Sequence, residues 1–271
     1  MITPGADYLR YAMFNGTARE TPALRVSPLG PGFMFGEGLF ETVRVRDAHP
    51  LFFADHHARL AASLAFLDAP PPSARDEMHA RCLQVIAANS LRDGNLKIAV
   101  FRDTSGWSEL ILAREGGYGP EIYQKGFRLM TVTGGPRNEP LQALKSLNYL
   151  GNIRAKRAAL AAGYDEAVFV DAHGHVLEGA TTNVFVVRDR VVWTPPLSCG
   201  ILPGVMRARV IGMLEPAGLR ECDLSLAALL EADEIFVTNA LLGIMPVSQV
   251  DQTAYDLSGN PATRTLRERF C

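Results

Sequence analysis

Cysteine is scarce in this chain: Cys82, Cys199, Cys222 and Cys271 stand far apart, and no C-x-x-C pair occurs. Such spacing supports neither a zinc site nor a disulfide framework, so the thiols are read as reduced. An excess of charge of either sign is missing too. The 27 basic and 29 acidic residues leave a formal net charge of −2 and are interspersed rather than blocked, which argues against the broad basic field that nucleic acid or anionic lipid would require. No run of 18 or more apolar residues occurs, and the N-terminal MITPGADYLRYAMFNG lacks the basic and then apolar pattern of a secretion signal. The expectation is a cytoplasmic protein with no membrane or nucleic-acid partner. Internal repeats and low-complexity tracts are absent as well.

What is present is apolar and evenly spread. With 271 residues, 48% of them hydrophobic, the chain can bury a sizeable core and is expected to form two domains. Glycine and proline cluster in Glu115-Gly-Gly-Tyr-Gly-Pro120. That cluster marks a linker over 116–125 between an N-terminal domain over 1–115 and a C-terminal domain over 126–271. In the first half, Asn15-Gly16 centres a hairpin. A helix over 51–69 carries Leu60, Leu64 and Leu67 at helical spacing with Asp55 as its cap. A second helix spans 74–90, and strands at 96–101 and 109–113 flank a loop over 102–107. In the second half, a strand over 127–132 ends at the turn Gly134-Gly-Pro136, and a helix runs over 146–162. Strands at 167–170 and 176–178 flank the turn Asp171-Ala-His-Gly174. Residues 184–187 and 191–193 form a further hairpin, a helix spans 205–214, residues 227–232 are helical, and a strand over 234–238 closes on Asn239-Ala240.

Lys145 is the candidate for covalent chemistry. A lysine held partly desolvated where a strand or loop turns into a helix can lose its proton, and a neutral amine is what condensation with a carbonyl requires. The bland alternative is a lysine that solvates a helix start. Glu178 lands on the rim of a sheet, before the small polar run Gly179-Ala-Thr-Thr-Asn183. Pro203 and Gly204 leave the first N–H groups of the following helix available to an anion. Arg59, in the early turns of its helix, is placed either to fork a phosphate or simply to face solvent. Glycines at 32, 36 and 38 let backbone approach a ligand or are ordinary turns. His56 and His57 point about 100° apart on a helix, with no third ligand in view, so no metal site is read.

Taken in order, FGEGLFETVRV, HHARL, KSLNYLGN, GYDEAVFVDAHGHVLEGATTNVF, GILPGVMR and EADEIFVTNALLGIMPV resemble the class IV aminotransferase family. These are the fold type IV pyridoxal-5′-phosphate enzymes, which include branched-chain aminotransferase, D-amino-acid aminotransferase and 4-amino-4-deoxychorismate lyase. The resemblance covers nearly the whole chain. It implies the two-domain fold of D-amino-acid aminotransferase, of mixed α+β and α/β character, with a smaller N-terminal α/β domain and a larger C-terminal mixed sheet or barrel domain. It also implies pyridoxal 5′-phosphate as cofactor, a small-molecule amino substrate and a homodimer.

Residue by residue, the resemblance implies that Lys145 is the Schiff-base lysine and proton shuttle, and that Glu178 faces the pyridine nitrogen and keeps it protonated. Arg59 would clamp the phosphate, with Val205, Met206 and the Asn239-Ala240 loop completing the cup, and Tyr149 would bond the cofactor's 3′-oxygen. Phe40 and Arg102 are the implied substrate residues. Trp107 and Glu109 fall where D-amino-acid aminotransferases carry an arginine and a histidine, which disfavours that reaction. The segments Thr238-Asn-Ala-Leu241 and Val205-Met-Arg207 resemble the lyases, although the lyases' glycine- and arginine-containing loop is missing around Trp107. The favoured member is therefore 4-amino-4-deoxychorismate lyase, which makes 4-aminobenzoate and pyruvate in the folate pathway. A branched-chain-type amino-acid aminotransferase using an oxo acid is the alternative, and a non-catalytic binding protein on the same fold is a remote one.

Overall fold

The computed structural model describes residues 8–134, 140–214 and 218–270. Residues 1–7, Gly135 and Pro136 of the expected turn, and Cys271 lie outside the described residues. The chain divides into two compact units, one made of Met1–Gly117 with Leu144–Tyr149 and the other of Tyr118–Ala143 with Leu150–Cys271.

The first unit is a six-stranded antiparallel sheet. Strands β1 (Tyr11–Phe14), β2 (Thr17–Glu20), β3 (Gly38–Arg46), β4 (His49–Pro50), β5 (Gly94–Asp103) and β6 (Gly106–Glu115) lie in the order β2-β1-β6-β5-β3-β4. The β1–β2 turn uses Asn15 and Gly16, both at positive φ, as Asn-Gly hairpins require. A short helix, α1 (Pro31–Phe35), precedes β3, and helices α2 (Phe53–Phe66) and α3 (Arg75–Ala88) follow β4. Because side chains alternate along a strand, Leu39, Val43 and Val45 of β3 and Leu96, Ile98 and Val100 of β5 share one face. There they meet Leu60 and Leu64 of α2 and Met78 and Cys82 of α3 in one core. Phe40, Ala99 and Phe101 cluster on the opposite face.

Three local expectations change here. Asp55 does not cap α2: the N-cap is Phe52, in left-handed backbone, and Asp55 sits in the first turn, where its charge suits the helix dipole. The expected loop over 102–107 is a tight hairpin, since Arg102 pairs with Trp107 and Asp103 with Gly106. The helix expected from Ser146 starts only at Leu150, because the backbone before it extends the sheet edge. Phe40 N–H donates to the Lys145 carbonyl at 2.8 Å, Leu147 N–H donates to the Gly38 carbonyl at 2.9 Å, and Ser146 bridges to Leu39. Lys145 therefore belongs with the first unit.

The second unit opens with α4 (Pro120–Lys125), a helix with proline in its first turn that occupies the second half of the expected linker. Its sheet comprises β7 (Phe127–Thr133), β8 (Glu166–Val170), β9 (His175–Gly179), β10 (Asn183–Arg188), β11 (Val191–Thr194), β12 (Leu219–Glu221), β13 (Leu224–Ser225), β14 (Glu234–Asn239), β15 (Gly243–Val250) and β16 (Thr253–Ala254). The order is β12-β11-β10-β14-β15-β7-β8-β9-β13, with β16 on β15. Pairs β11–β12, β15–β7 and β7–β8 are parallel. Helices α5 (Leu150–Ala161), α6 (Val205–Met213), α7 (Leu226–Leu230) and α8 (Pro261–Glu268) complete it. Val210 of α6 and Leu266 of α8 pack on Phe185 and Phe236, whose rings stack at 4.8 Å. Each such fully buried aromatic contributes about 1.5–3 kcal/mol.

Candidate active site

Lys145 enters the first unit on the edge segment just described. Its Nζ lies 4.5 Å from the centre of the Phe40 ring and 5.2 Å from that of Tyr149, and the two rings meet edge to face at 5.3 Å. Gly38 is required beside it, because a Cβ there would press on the Leu147 side chain and the Val100 carbonyl. Two aromatic rings therefore line the amine, the group that condensation with a carbonyl would use. The structure thus brings Lys145, Phe40 and Tyr149 together.

Arg59 lies on the other side of β3, in α2. Glu41 takes its Nε at 2.8 Å and Nη2 at 2.5 Å, a bidentate fork, and also meets His56 Nδ1 at 2.7 Å. Glu41 and His56 are each 1% exposed. Neither Glu41 nor its link to His56 is among the site residues expected from sequence. The visible signal is a carboxylate at a position whose alternation partners, Leu39, Val43 and Val45, are all core. Burial pushes the Glu41 carboxyl up, but the charge of Arg59 and the hydrogen bonds from His56 and Arg59 outweigh it and hold it at about 2, against an ordinary 4.5.

A carboxyl depressed in the folded state stabilises it fully above the unfolded value and loses that contribution as pH falls through the folded one. The fold should therefore weaken between pH ~4.5 and ~2, and Glu41→Gln should flatten this acid limb while lowering stability at pH 7. Urea denaturation across pH 2.5–7 checks this. Parallel acid limbs in the two proteins would remove Glu41 as the cause.

In the second unit, Glu178 is 6% exposed at the end of β9. Its Oε2 accepts from Leu202 N–H at 3.0 Å and from Asn183 Nδ2 at 3.3 Å, and the same Asn183 nitrogen donates to the Leu202 carbonyl at 3.0 Å. Asn183 also sets the start of α6: a Cβ on Gly204 would overlap its Oδ1. Gly204 is the N-cap of α6 and makes no side-chain cap, so among the described residues the first-turn amides of Val205, Met206 and Arg207 have no side-chain acceptor. Such amides suit a phosphate. Arg207 itself is buried and spent on the Pro195 carbonyl and Glu221. Asn239 shapes the loop after β14: its Oδ1 accepts from Leu241 and Leu242 N–H at 2.9 Å each, and its Nδ2 donates to the Thr181 carbonyl. That places Ala240 at the loop's turn.

Arg102 is not gathered with Lys145. It is exposed, and its pairing with Trp107, which packs on the helix-side core, assigns it to the sheet face opposite Phe40. Glu109 is taken by Arg81 of α3 at 2.8 Å. His56 is buried against Glu41, His57 Nε2 meets the Ser73 carbonyl, and no group of three or more metal-ligating side chains occurs among the described residues.

Residues 38–250 match the family model described as amino-transferase class IV. The branched-chain-amino-acid aminotransferase of Escherichia coli K12 is 30% identical over 293 residues, covering all of this chain and 94% of that protein. A crystal structure of the E. coli branched-chain enzyme aligns with a TM-score of 0.88 and 28% identity over 97% of this chain and 93% of the other. The aminodeoxychorismate lyase of Bacillus subtilis strain 168 is 30% identical over 273 residues, 93% of this chain and 91% of that protein. The chain belongs to the class IV amino-transferase family, the pyridoxal-phosphate-dependent enzymes of fold type IV.

Proposed function

We propose that the chain is a 4-amino-4-deoxychorismate lyase, acting on a small amino-bearing carboxylate through Lys145, and that Glu178, Arg59, Tyr149 and the loops at Val205-Met206 and Asn239-Ala240 hold its cofactor. The observation that carries the cofactor assignment is the buried Glu178 carboxylate, fixed by Leu202 N–H and Asn183. A carboxylate so held suits a protonated pyridine nitrogen, and the uncapped start of α6 suits a phosphate. Pyridoxal 5′-phosphate, when bound, supplies an aldehyde that condenses with amines and a ring that accepts an electron pair.

The chain's own groups do the rest. The Lys145 amine removes the proton from the amine-bearing carbon of the substrate and holds it at Nζ. Glu178 would face the pyridine nitrogen of the bound cofactor and hold a proton there. Arg59, braced by Glu41, and the α6 amides oppose the phosphate charge and set the ring's position. Phe40 and Tyr149 shield the amine from water. In the lyase, the C–O bond to the enolpyruvyl group would break with its electron pair as the ring aromatises, and the proton held at Nζ would pass to the departing enolpyruvate, released as pyruvate. In an aminotransferase, Lys145 would instead give up that proton from Nζ without loss of a group from the substrate.

The lyase reading is supported by Thr238-Asn-Ala-Leu241, whose turn is built on the Asn239 side chain, and by the lyase named among the relatives. A branched-chain-type aminotransferase is the second reading, supported by the full-length likeness to the E. coli enzyme. A substrate panel separates them. The lyase reading expects aminodeoxychorismate to yield 4-aminobenzoate and pyruvate without an added oxo acid. Efficient transamination dependent on 2-oxoglutarate, with no 4-aminobenzoate formed, would establish the second reading instead.

A further inference from the structure

Lys145 is not the sole amine against Phe40. Lys97 of β5 places its Nζ 4.6 Å from the centre of the same ring, against 4.5 Å for Lys145, so the two nitrogens are at most about 9 Å apart, a range at which charges in half-buried surroundings still repel. Lys97 has no carboxylate within ion-pair distance among the described residues. Its neighbours show why. In register, Lys97 pairs with Thr42 of β3 and Leu112 of β6, and the next residues on that face are Phe40 and Arg44 on β3, Leu110 and Arg114 on β6, and Asn95 and Ala99 on β5. The charged groups there are Arg44 and Arg114, both cationic. Arg44 takes Asp93 at 3.5 Å and the carbonyls of Gly94 and Gly116, and the charge of Arg114 acts on Tyr8. From the edge segment come Lys145 and Tyr149. Burial pushes the Lys97 amine below its ordinary range, as befits a cation with no counter-charge.

We propose that Lys97 is a positioning residue that acts through charge, opposing a proton on the Lys145 nitrogen and so keeping that nitrogen unprotonated at neutral pH. This rests on the reading of Lys145 as the cofactor-bearing lysine. A lysine nitrogen condensed with a carbonyl is a weaker base than a free amine, so of the coupled pair Lys97 retains its proton and Lys145 yields its own. Two cations this close shift such an equilibrium by about tenfold, or one pH unit.

The test is a pH titration of the visible absorption of the cofactor-loaded enzyme, comparing wild type with Lys97→Met, Lys97→Gln and Lys97→Arg, with Lys145→Ala as control. The midpoint should rise by about one pH unit in both neutral variants, two replacements of different polarity that guard against loss of folding in either. In Lys97→Arg, which keeps the charge, it should stay within a few tenths of wild type. Coincident midpoints in wild type and the neutral variants would overturn the inference, as would an equal shift in Lys97→Arg. A band that persists unchanged in Lys145→Ala would instead overturn the reading of Lys145 itself, so the two failures are told apart.

Discussion

Lys145→Ala is expected to leave a folded protein whose turnover falls by at least about 10³-fold, because one side chain both bears the cofactor and moves the proton. The fold should survive. The sheet-edge contacts of this segment are made by backbone groups, the Lys145 carbonyl with Phe40 N–H and Leu147 N–H with the Gly38 carbonyl, and alanine retains them. Lys145→Arg should be as inactive, since guanidinium stays charged at working pH and cannot condense. Turnover beside thermal melting checks both variants. A kcat within tenfold of wild type in either would mean that the proton is moved by another group.

Glu178→Gln should cost about 10²–10³-fold in kcat, the range found when a preorganised electrostatic partner is removed from an active site. Glutamine keeps the volume and can accept from Leu202 N–H as the carboxylate does at 3.0 Å, so that contact is preserved while the charge is lost. The effect should fall on kcat rather than on folding, since a neutral partner no longer keeps the pyridine nitrogen protonated. Steady-state kinetics with circular dichroism separates these. A kcat within about threefold of wild type would sink the role given to Glu178.

Much of this architecture is legible from order and alternation alone. The Asn15-Gly16 hairpin, the α2 stripe of Leu60 and Leu64, and the Pro203-Gly204 helix start are local features, and local sequence encodes them. What stays hidden is non-local. Nothing near Lys145 announces that residues 145–147 pair with Gly38–Phe40, because a sheet-edge contact depends on a distant strand and overrides the helical preference of Ser146–Tyr149. Arg102 offers a sharper lesson. Its parity with Leu96, Ile98 and Val100 places it on the helix-side face, a deduction available once the strand is known to run through Asp103. Lys97, two residues before Ala99, falls on the Phe40 side by the same parity. A lysine facing outward is the common case in a strand, so nothing in the sequence sets it apart. Only the register of β3 against β5 shows that this face is where Lys145 arrives.

Borohydride reduction of the purified enzyme followed by peptide mass spectrometry shows most directly whether Lys145 is the residue to which pyridoxal 5′-phosphate is attached. Visible absorption should be lost and one phosphopyridoxyl adduct should form, on the peptide containing Lys145. An unmodified Lys145, or an adduct on Lys97 in its place, would contradict that attachment.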